Sequence, residues 1–88
     1  MNKTSIEAFF DRAASSWDDE MIKDDLIIKT ILDNANVEEG NTVLDVACGT
    51  GVMIPYYLER SANPTGIDLS KKMVEISQSK FKDIEFIW

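Results

Sequence analysis

The sequence contains no histidine, one cysteine and two prolines in 88 residues. Without histidine, a catalytic triad that uses an imidazole and a zinc site built from cysteine and histidine are both excluded. A single cysteine forms no disulfide within the chain, so a disulfide framework is excluded too. Any chemistry must therefore come from carboxylates, hydroxyls and the backbone.

Positive charge is also scarce, with 9 lysines and arginines against 16 acidic residues and a net charge of −7. Such a surface repels the phosphates of nucleic acids and of anionic membranes. We therefore expect a small-molecule ligand and neither nucleic acid nor a membrane as partner. The chain has no apolar run of ~18 residues and no signal-peptide pattern at its start, so the expected compartment is the cytosol.

The first 40 residues are predicted to form a helical segment. Thr4 to Glu7 have the form of a capping box and precede apolar residues at helical spacing, which predicts a helix over 5–14. The acidic residues 18–20 favour a helix start rather than a metal site, and predict a second helix that runs to about residue 34. The apolar stripe of this second helix comprises Met21, Leu26, Ile28, Ile31, Leu32 and Ala35.

Residues 41–88 alternate between strand and helix patterns and form a second unit. The predicted elements are a strand over 42–46, a helix over 52–60, a strand over 65–68, a helix over 70–79 and a strand over 84–88. The class is therefore α/β, in the order α-α-β-α-β-α-β, with a three-stranded parallel sheet in the order 3-2-1.

One face of this sheet is expected to lack cover. Two right-handed crossovers that step the same way place both helices on one face. Some of Val43, Ile67 and Phe86 must then face outward, beside an open edge on the first strand. Such a surface favours pairing with a second copy of the chain.

The most informative segment is V-L-D-V-A-C-G-T-G at 43–51, which G-I-D-L-S follows at 66–70. Its apolar residues suit a buried strand, and Gly49 and Gly51 permit a sharp turn and close approach of a ligand. Asp68 stands 19 residues beyond Gly49, where an α/β fold places the acid that binds the two hydroxyls of a ribose. Alone, Asp68 also suits an acid that caps the following turn.

Two further residues bear on which nucleoside is bound. The dinucleotide fingerprint requires a third glycine where the helix packs on the strand, and Ile54 occupies that position. Asp45, at the end of the first strand, favours a positively charged ligand over a pyrophosphate. S-adenosylmethionine is therefore favoured, and a half-domain that binds NAD or FAD remains the weaker alternative.

These segments resemble the class I S-adenosylmethionine-dependent methyltransferase family, whose first motif commonly runs V-L-D-x-G-C-G-T-G and whose second ends in G-x-D-x-S. Residues 9–18 are similar to the F-D-x-x-A-x-x-W/Y-D segment that lids the cofactor in small-molecule members, including quinone-biosynthesis enzymes. The resemblance implies a partial Rossmann-like methyltransferase fold and a small-molecule methyl acceptor. By their helical spacing alone, Phe9, Phe10 and Trp17 are instead predicted to pack as core or interface.

The resemblance also implies a set of cofactor-binding residues. The methionyl end of S-adenosylmethionine would be surrounded by Asp45, Ala47, Gly49 and Gly51. Asp68 would bind the ribose diol, and Leu69 with Met73 would border the adenine. Ala47 replaces the usual first glycine of the motif, which narrows the turn. No catalytic residue and no metal ligand is assigned.

The chain ends within its third predicted strand, whereas the family domain has seven strands. We therefore expect a truncated, donor-binding part of an enzyme, with weak or absent catalysis alone. The alternative is a structural module that forms a homodimer through the uncovered sheet face or edge, with vestigial ligand binding.

Overall fold

The computed structural model describes residues 2–20 and 24–88, and it confirms the α/β class. The N-terminal elements are helix α1 (Lys3–Ala13), a 3-10 turn (Ala14–Ser16), and helices α2 (Trp17–Glu20) and α3 (Asp25–Asn34). The alternating elements are β1 (Thr42–Val46), α4 (Ile54–Glu59), β2 (Asn63–Ile67), α5 (Lys71–Lys80) and β3 (Glu85–Ile87). Within the described residues, none of the helices has the length and apolar character needed to cross a membrane.

The three strands form one parallel sheet in the order β1-β2-β3, which confirms the predicted order 3-2-1. Val46 lies opposite Ile67, and Ile67 lies opposite Ile87. Residues that are paired in register point to the same face of a sheet. These three side chains therefore share one face, and their sequence neighbours share the other.

The two faces differ sharply in cover. Leu44, Val46 and Ile87 are 60%, 67% and 50% exposed on the outward face. On the other face, Phe86 is buried and Val43 packs against the core. Of the three residues expected to include outward ones, only Ile67 shares the register of the outward face, because strand alternation turns Val43 and Phe86 towards the helices.

The hydrophobic core lies between the helix-facing side of the sheet and the helices. Its buried members are Leu32, Val37, Cys48, Ile54, Tyr57, Ala62, Val74 and Phe86. The sheet, α3, α4 and α5 all contribute residues, so one core joins both predicted units. The described part of the N-terminal segment, residues 2–20 and 24–40, therefore packs on the rest of the chain.

Helix α1 begins two residues before its predicted start. Asn2 has extended backbone, and its Oδ1 accepts a hydrogen bond from the Ser5 amide at 2.9 Å. The predicted capping box of Thr4 and Glu7 is therefore wrong as the cap. Asparagine is a strong N-cap residue, and its earlier position lengthens the helix.

The single helix predicted over 18–34 is divided. Asp24 has extended backbone, and its Oδ1 accepts the Ile27 amide at 3.1 Å, so it caps a new helix. Met21 of the predicted stripe lies outside the described residues. Of the other members of the stripe, Leu32 and Ile28 meet the core, whereas Leu26 and Ile31 are exposed.

The remaining bounds shift by one or two residues, except for β1, which matches its prediction. Helix α4 begins at Ile54 rather than at residue 52, because residues 51–53 still belong to the preceding turn. Its Pro55 lies in the first helical turn, where a missing amide hydrogen costs little. Ser70 caps α5 as predicted, since its Oγ accepts the Met73 amide at 3.2 Å.

Gly51 and Gly40 form a matched pair that separates backbone strain from packing. Their φ angles are 80° and 81°, but a Cβ on Gly51 would lie 2.9 Å from Phe81 Cε2, whereas a Cβ on Gly40 would meet nothing within 4 Å. Gly40→Ala should lower the free energy of unfolding by roughly 1 to 2 kcal/mol through strain alone. Gly51→Ala should lose about 1 to 3 kcal/mol more, because its new methyl overpacks the core. Urea denaturation measures both, and equal losses would contradict the packing role of Gly51.

Candidate functional site

The turn between β1 and α4, residues 47–53, is called the glycine loop below. Three of its residues have left-handed backbone: Ala47 at φ 59°, Gly49 at φ 59° and Gly51 at φ 80°. Ala47 carries a side chain in this region, which is uncommon for alanine and therefore strained. The Cys48 amide donates to the Ile67 carbonyl oxygen at 3.0 Å. The glycine loop is thereby tied to the end of β2.

Asp68 fixes the position of the loop from the end of β2. One carboxylate oxygen, Oδ2, accepts the Gly49 amide at 2.8 Å, and Oδ1 accepts the Ser70 amide at 2.8 Å. A carboxylate offers about four acceptor positions, so two remain for a ligand. Asp68 thus caps the turn after β2, and it also retains the capacity to bind two hydroxyl groups.

A cavity of about 270 Å³ lies between the N-terminal helices and the glycine loop. It is lined by Ile6, Phe10, Trp17, Ala47, Gly49, Asp68, Leu69 and Met73. The indole nitrogen of Trp17 lies 3.6 Å from the position of a Cβ on Gly49, so the loop backbone and the indole approach closely. The rings of Phe10 and Trp17 meet edge to face with centroids 5.8 Å apart. These two aromatic residues therefore form a cavity wall, while Phe9 is half exposed.

A second cavity, of about 440 Å³, lies along the carboxyl ends of the strands. It is lined by Val46, Ala47, Ile67, Asp68, Leu69, Ile87 and Trp88. The indole of Trp88 donates to the Leu69 carbonyl oxygen at 2.8 Å. Ala47, Asp68 and Leu69 line both cavities, so the acid stands where the two spaces meet.

Asp45 and Gly51 line neither of these two cavities. Asp45 lies on the helix-facing side of β1, and its Oδ2 is buried with no hydrogen-bond partner among the described residues. Burial and the nearby charge of Asp68 raise the pKa of Asp45, while the Tyr57 hydroxyl opposes this rise by a hydrogen bond. Burial and the Asp45 carboxylate raise the pKa of Tyr57 to about 12. Gly51 is buried against Phe81 and Ser77.

The structure therefore brings five of the seven predicted residues to the cavity beside the glycine loop. These are Ala47, Gly49, Asp68, Leu69 and Met73. The unpaired oxygen of Asp45 lies behind the loop, on the core side of the sheet. Whether these residues bind a cofactor stays a prediction.

Cys48 carries no chemistry at neutral pH. Its thiol is buried, and burial together with the Asp68 and Asp45 carboxylates raises its pKa to about 11. A thiol with such a pKa stays protonated at neutral pH, and only the thiolate is a strong nucleophile. This agrees with the interpretation of Cys48 as a small turn residue.

Two hydrogen bonds that no sequence pattern predicts hold the N-terminal helices against the glycine loop and the start of α5. Asp11 Oδ1 accepts the Ser70 hydroxyl at 2.5 Å, and the Asp18 carboxylate accepts the Thr50 hydroxyl. Both aspartates belong to the F-D-x-x-A-x-x-W/Y-D segment, and this motif is the one feature of the sequence that marks them. Their partners lie far along the chain, where no local spacing pattern links them.

Comparison with known proteins identifies a family that this chain matches. Residues 43–87, just over half of the chain, match the family described as methyltransferase domain. These residues contain the glycine loop, Asp68, β2, β3 and all of β1 except its first residue, Thr42.

Individual relatives agree with this match. The chain is 28% identical to demethylmenaquinone methyltransferase of Paenarthrobacter aurescens strain TC1, over 99% of this chain and 39% of that protein. It is 31% identical to ubiquinone biosynthesis O-methyltransferase of Vibrio cholerae serotype O1, over 89% of this chain and 34% of that protein. It thus spans less than half the length of either relative.

Among solved structures, the fold is similar to magnesium protoporphyrin IX methyltransferase from Synechocystis PCC 6803 with bound SAM. The TM-score is 0.72 at 20% identity, and the match covers 97% of this chain and 52% of that one. This likeness confirms the Rossmann-like methyltransferase fold. From the match over residues 43–87, the chain belongs to the methyltransferase domain family, and the resemblance to class I S-adenosylmethionine-dependent methyltransferases is confirmed.

Proposed function

We propose that this chain forms the S-adenosylmethionine-binding part of a methyltransferase that acts on a small molecule. The observation that carries the proposal is the position of Asp68, where the two cavities meet, with each oxygen fixed by a backbone amide. A ribose diol donates two hydrogen bonds, which match the two acceptor positions that remain on Asp68. Leu69 and Met73 would border the adenine, and Ala47 and Gly49 would face the methionyl end.

The electrostatics of the site support a positively charged ligand. Burial and the nearby charge of the Asp68 carboxylate both raise the pKa of Asp45. The sulfonium and ammonium groups of S-adenosylmethionine would offset this concentration of negative charge. The buried Oδ2 of Asp45 is also an acceptor for which the described residues supply no donor. Gly51 would then act by packing behind the loop, and Asp45 by its charge.

When bound, S-adenosylmethionine supplies an electrophilic methyl group for an in-line displacement by the acceptor. The contribution of this chain is to bind and orient the donor, which requires no covalent intermediate. The names of the two relatives refer to quinone biosynthesis, which supports a small-molecule acceptor. Because the chain spans 39% and 34% of their lengths, we expect weak or absent methyl transfer by these 88 residues alone. The cytosolic location and the lack of a nucleic-acid partner stay predictions from the sequence.

The first prediction from this proposal concerns Asp68. Asp68→Asn should weaken S-adenosylmethionine binding by about 1.5 to 3 kcal/mol, because it removes the charged acceptor of the ribose hydroxyls. Titration calorimetry measures the change, and thermal melting confirms that the variant is folded. Asp83→Asn removes the same charge at an exposed position and serves as the control. Unchanged affinity in Asp68→Asn, or tighter binding of NAD by the wild type, would contradict the proposal.

A second prediction concerns the dependence of stability on pH. Because folding raises the pKa of Asp45, the folded chain keeps a proton on Asp45 that the unfolded chain loses between pH 3.8, the ordinary pKa, and the raised pKa. The free energy of unfolding therefore falls as the pH rises through this range. Asp45→Asn removes the cost of the buried charge. The variant should therefore be more stable than the wild type near pH 7, and the difference should vanish below the ordinary pKa. Urea denaturation across a pH series measures this, and a wild type that equals or exceeds the variant at pH 7 would refute it.

A second candidate function is a homodimeric structural module. The observation that favours it is the outward sheet face, where Leu44, Val46 and Ile87 are at least half exposed. Contiguous exposed apolar side chains of this kind commonly mark an interaction surface. In this alternative, two copies bury that face and ligand binding is vestigial.

Sedimentation at micromolar concentration tests the dimer. The alternative predicts a dimeric wild type that Val46→Lys converts to a monomer, because a buried, unpaired charge at the interface is costly. Ser79→Lys is a suitable control, since it adds the same charge at an exposed position of α5, which packs on the opposite face of the sheet. A monomeric wild type would remove this candidate.

A further inference from the structure

We propose that Asp11 and Asp18 are positioning residues, which hold the N-terminal segment over the cavity and couple its closure to the orientation of Asp68. This segment, residues 2–20, is called the cover below. The coupling matters for a ligand held by Asp68, so the inference rests on the proposed function. Two hydrogen bonds link the cover to Thr50 and Ser70 in the turns after β1 and β2, and two more link those turns to Asp68.

The first contact, the Asp11 latch, joins α1 to the start of α5. Asp11 Oδ1 accepts the Ser70 hydroxyl at 2.5 Å and the Lys72 amide at 3.3 Å. Ser70 is fully buried, and its hydroxyl oxygen also accepts the Met73 amide at 3.2 Å. The Ser70 amide donates to Asp68 Oδ1 at 2.8 Å. Ser70 therefore contacts the cover, caps α5 and holds one oxygen of Asp68.

The second contact, the Asp18 latch, joins α2 to the glycine loop. Asp18 Oδ1 accepts the hydroxyl of Thr50, which is fully buried, and Oδ2 lies 2.9 Å from Lys80 Nζ. Thr50 follows Gly49, whose amide donates to Asp68 Oδ2 at 2.8 Å. One oxygen of Asp68 is thus bound by Ser70, which belongs to the Asp11 latch, and the other by Gly49, which directly precedes Thr50 of the Asp18 latch.

The cover encloses the place where a ligand of Asp68 would lie. Trp17 stands beside Asp18, and its indole lies against the backbone of Gly49. A ligand that occupies the smaller cavity along Gly49 and Asp68 therefore lies beneath the cover, and we expect its release to be faster when the cover lifts. Lifting breaks both latches and frees Ser70 and Thr50 to move, which loosens both hydrogen bonds to Asp68.

The latches are charge-assisted hydrogen bonds with buried hydroxyl groups, which are stronger than bonds between neutral groups. Removal of one latch should therefore favour the open cover by about tenfold. A ligand that binds the closed form better therefore loses affinity when the equilibrium shifts towards the open cover. The change should increase the dissociation rate, because association begins from the open cover.

Thr50 provides a test that leaves the charge of the site unchanged. Thr50→Val keeps the shape of the side chain but removes the hydroxyl, and Thr50→Ser keeps the hydroxyl. By stopped-flow fluorescence, S-adenosylhomocysteine should dissociate about tenfold faster from Thr50→Val, and at a rate near that of the wild type from Thr50→Ser.

A double-mutant cycle assigns the effect to the latch. Asp18→Ala should accelerate dissociation at least as much as Thr50→Val, because it removes the acceptor of the Thr50 hydroxyl together with the ion pair to Lys80. The double variant should dissociate no faster than Asp18→Ala alone. Asp19→Ala removes the same charge at the neighbouring exposed residue and should change the rate by less than about twofold. Additive effects in the double variant would overturn the latch.

A measurement without ligand separates this inference from the proposed function. In a Trp88→Phe background, acrylamide quenching reports on Trp17, because the sequence contains two tryptophans. Thr50→Val should increase the quenching constant, and Thr50→Ser should restore it. If the wild type binds no cofactor but quenching responds in this way, the proposed function fails and the latch stands. If the wild type binds cofactor while Thr50→Val alters neither quenching nor dissociation, the latch is overturned. Should Asp18→Ala fail to fold, the Thr50→Val and Thr50→Ser variants decide alone.

Discussion

The pair of hydrogen bonds that Asp68 accepts from Gly49 and Ser70 is the interaction on which the rest of the site depends. It joins the turn after β1 to the turn after β2, and these turns carry the residues that line both cavities. Because a carboxylate accepts backbone amides strongly, one side chain fixes two loops. The glycine loop then approaches Trp17, and Ser70 starts α5. The cavity, the helix start and the N-terminal contacts all follow from this pair of bonds.

Negative charge at this end of the sheet connects stability with ligand choice. Asp45 is held near Asp68 in a partly buried position, and both effects disfavour its ionised form. A cationic ligand would stabilise the ionised form, so binding would offset what the empty site costs in folding. Functional sites are often locally unstable because they hold a buried charge whose opposite charge comes from the ligand and not from the protein.

The sequence predicted the parts of the fold that local pattern determines. β1 was predicted to its exact bounds because its apolar run is short and is bounded by Asn41 and the glycine loop. Asp68 was selected as a site residue from its spacing to Gly49, and the structure places its carboxylate on the Gly49 amide. The break before α3 was missed, because Asp24 competes as a cap with a helical pattern that continues through it. The Asp11 latch was also out of reach, since its two residues are 59 positions apart and meet only through tertiary packing.

The central claim is that the turns around Asp68 bind S-adenosylmethionine. Titration of the isotopically labelled chain with this compound, followed by amide NMR shifts, tests it most directly. The account predicts saturable shifts that are largest at the amides of Gly49, Asp68 and Ser70, with the outward sheet residues Thr42 and Leu44, which line neither cavity, unaffected. Absence of saturable shifts, or shifts confined to the outward sheet face, would contradict it.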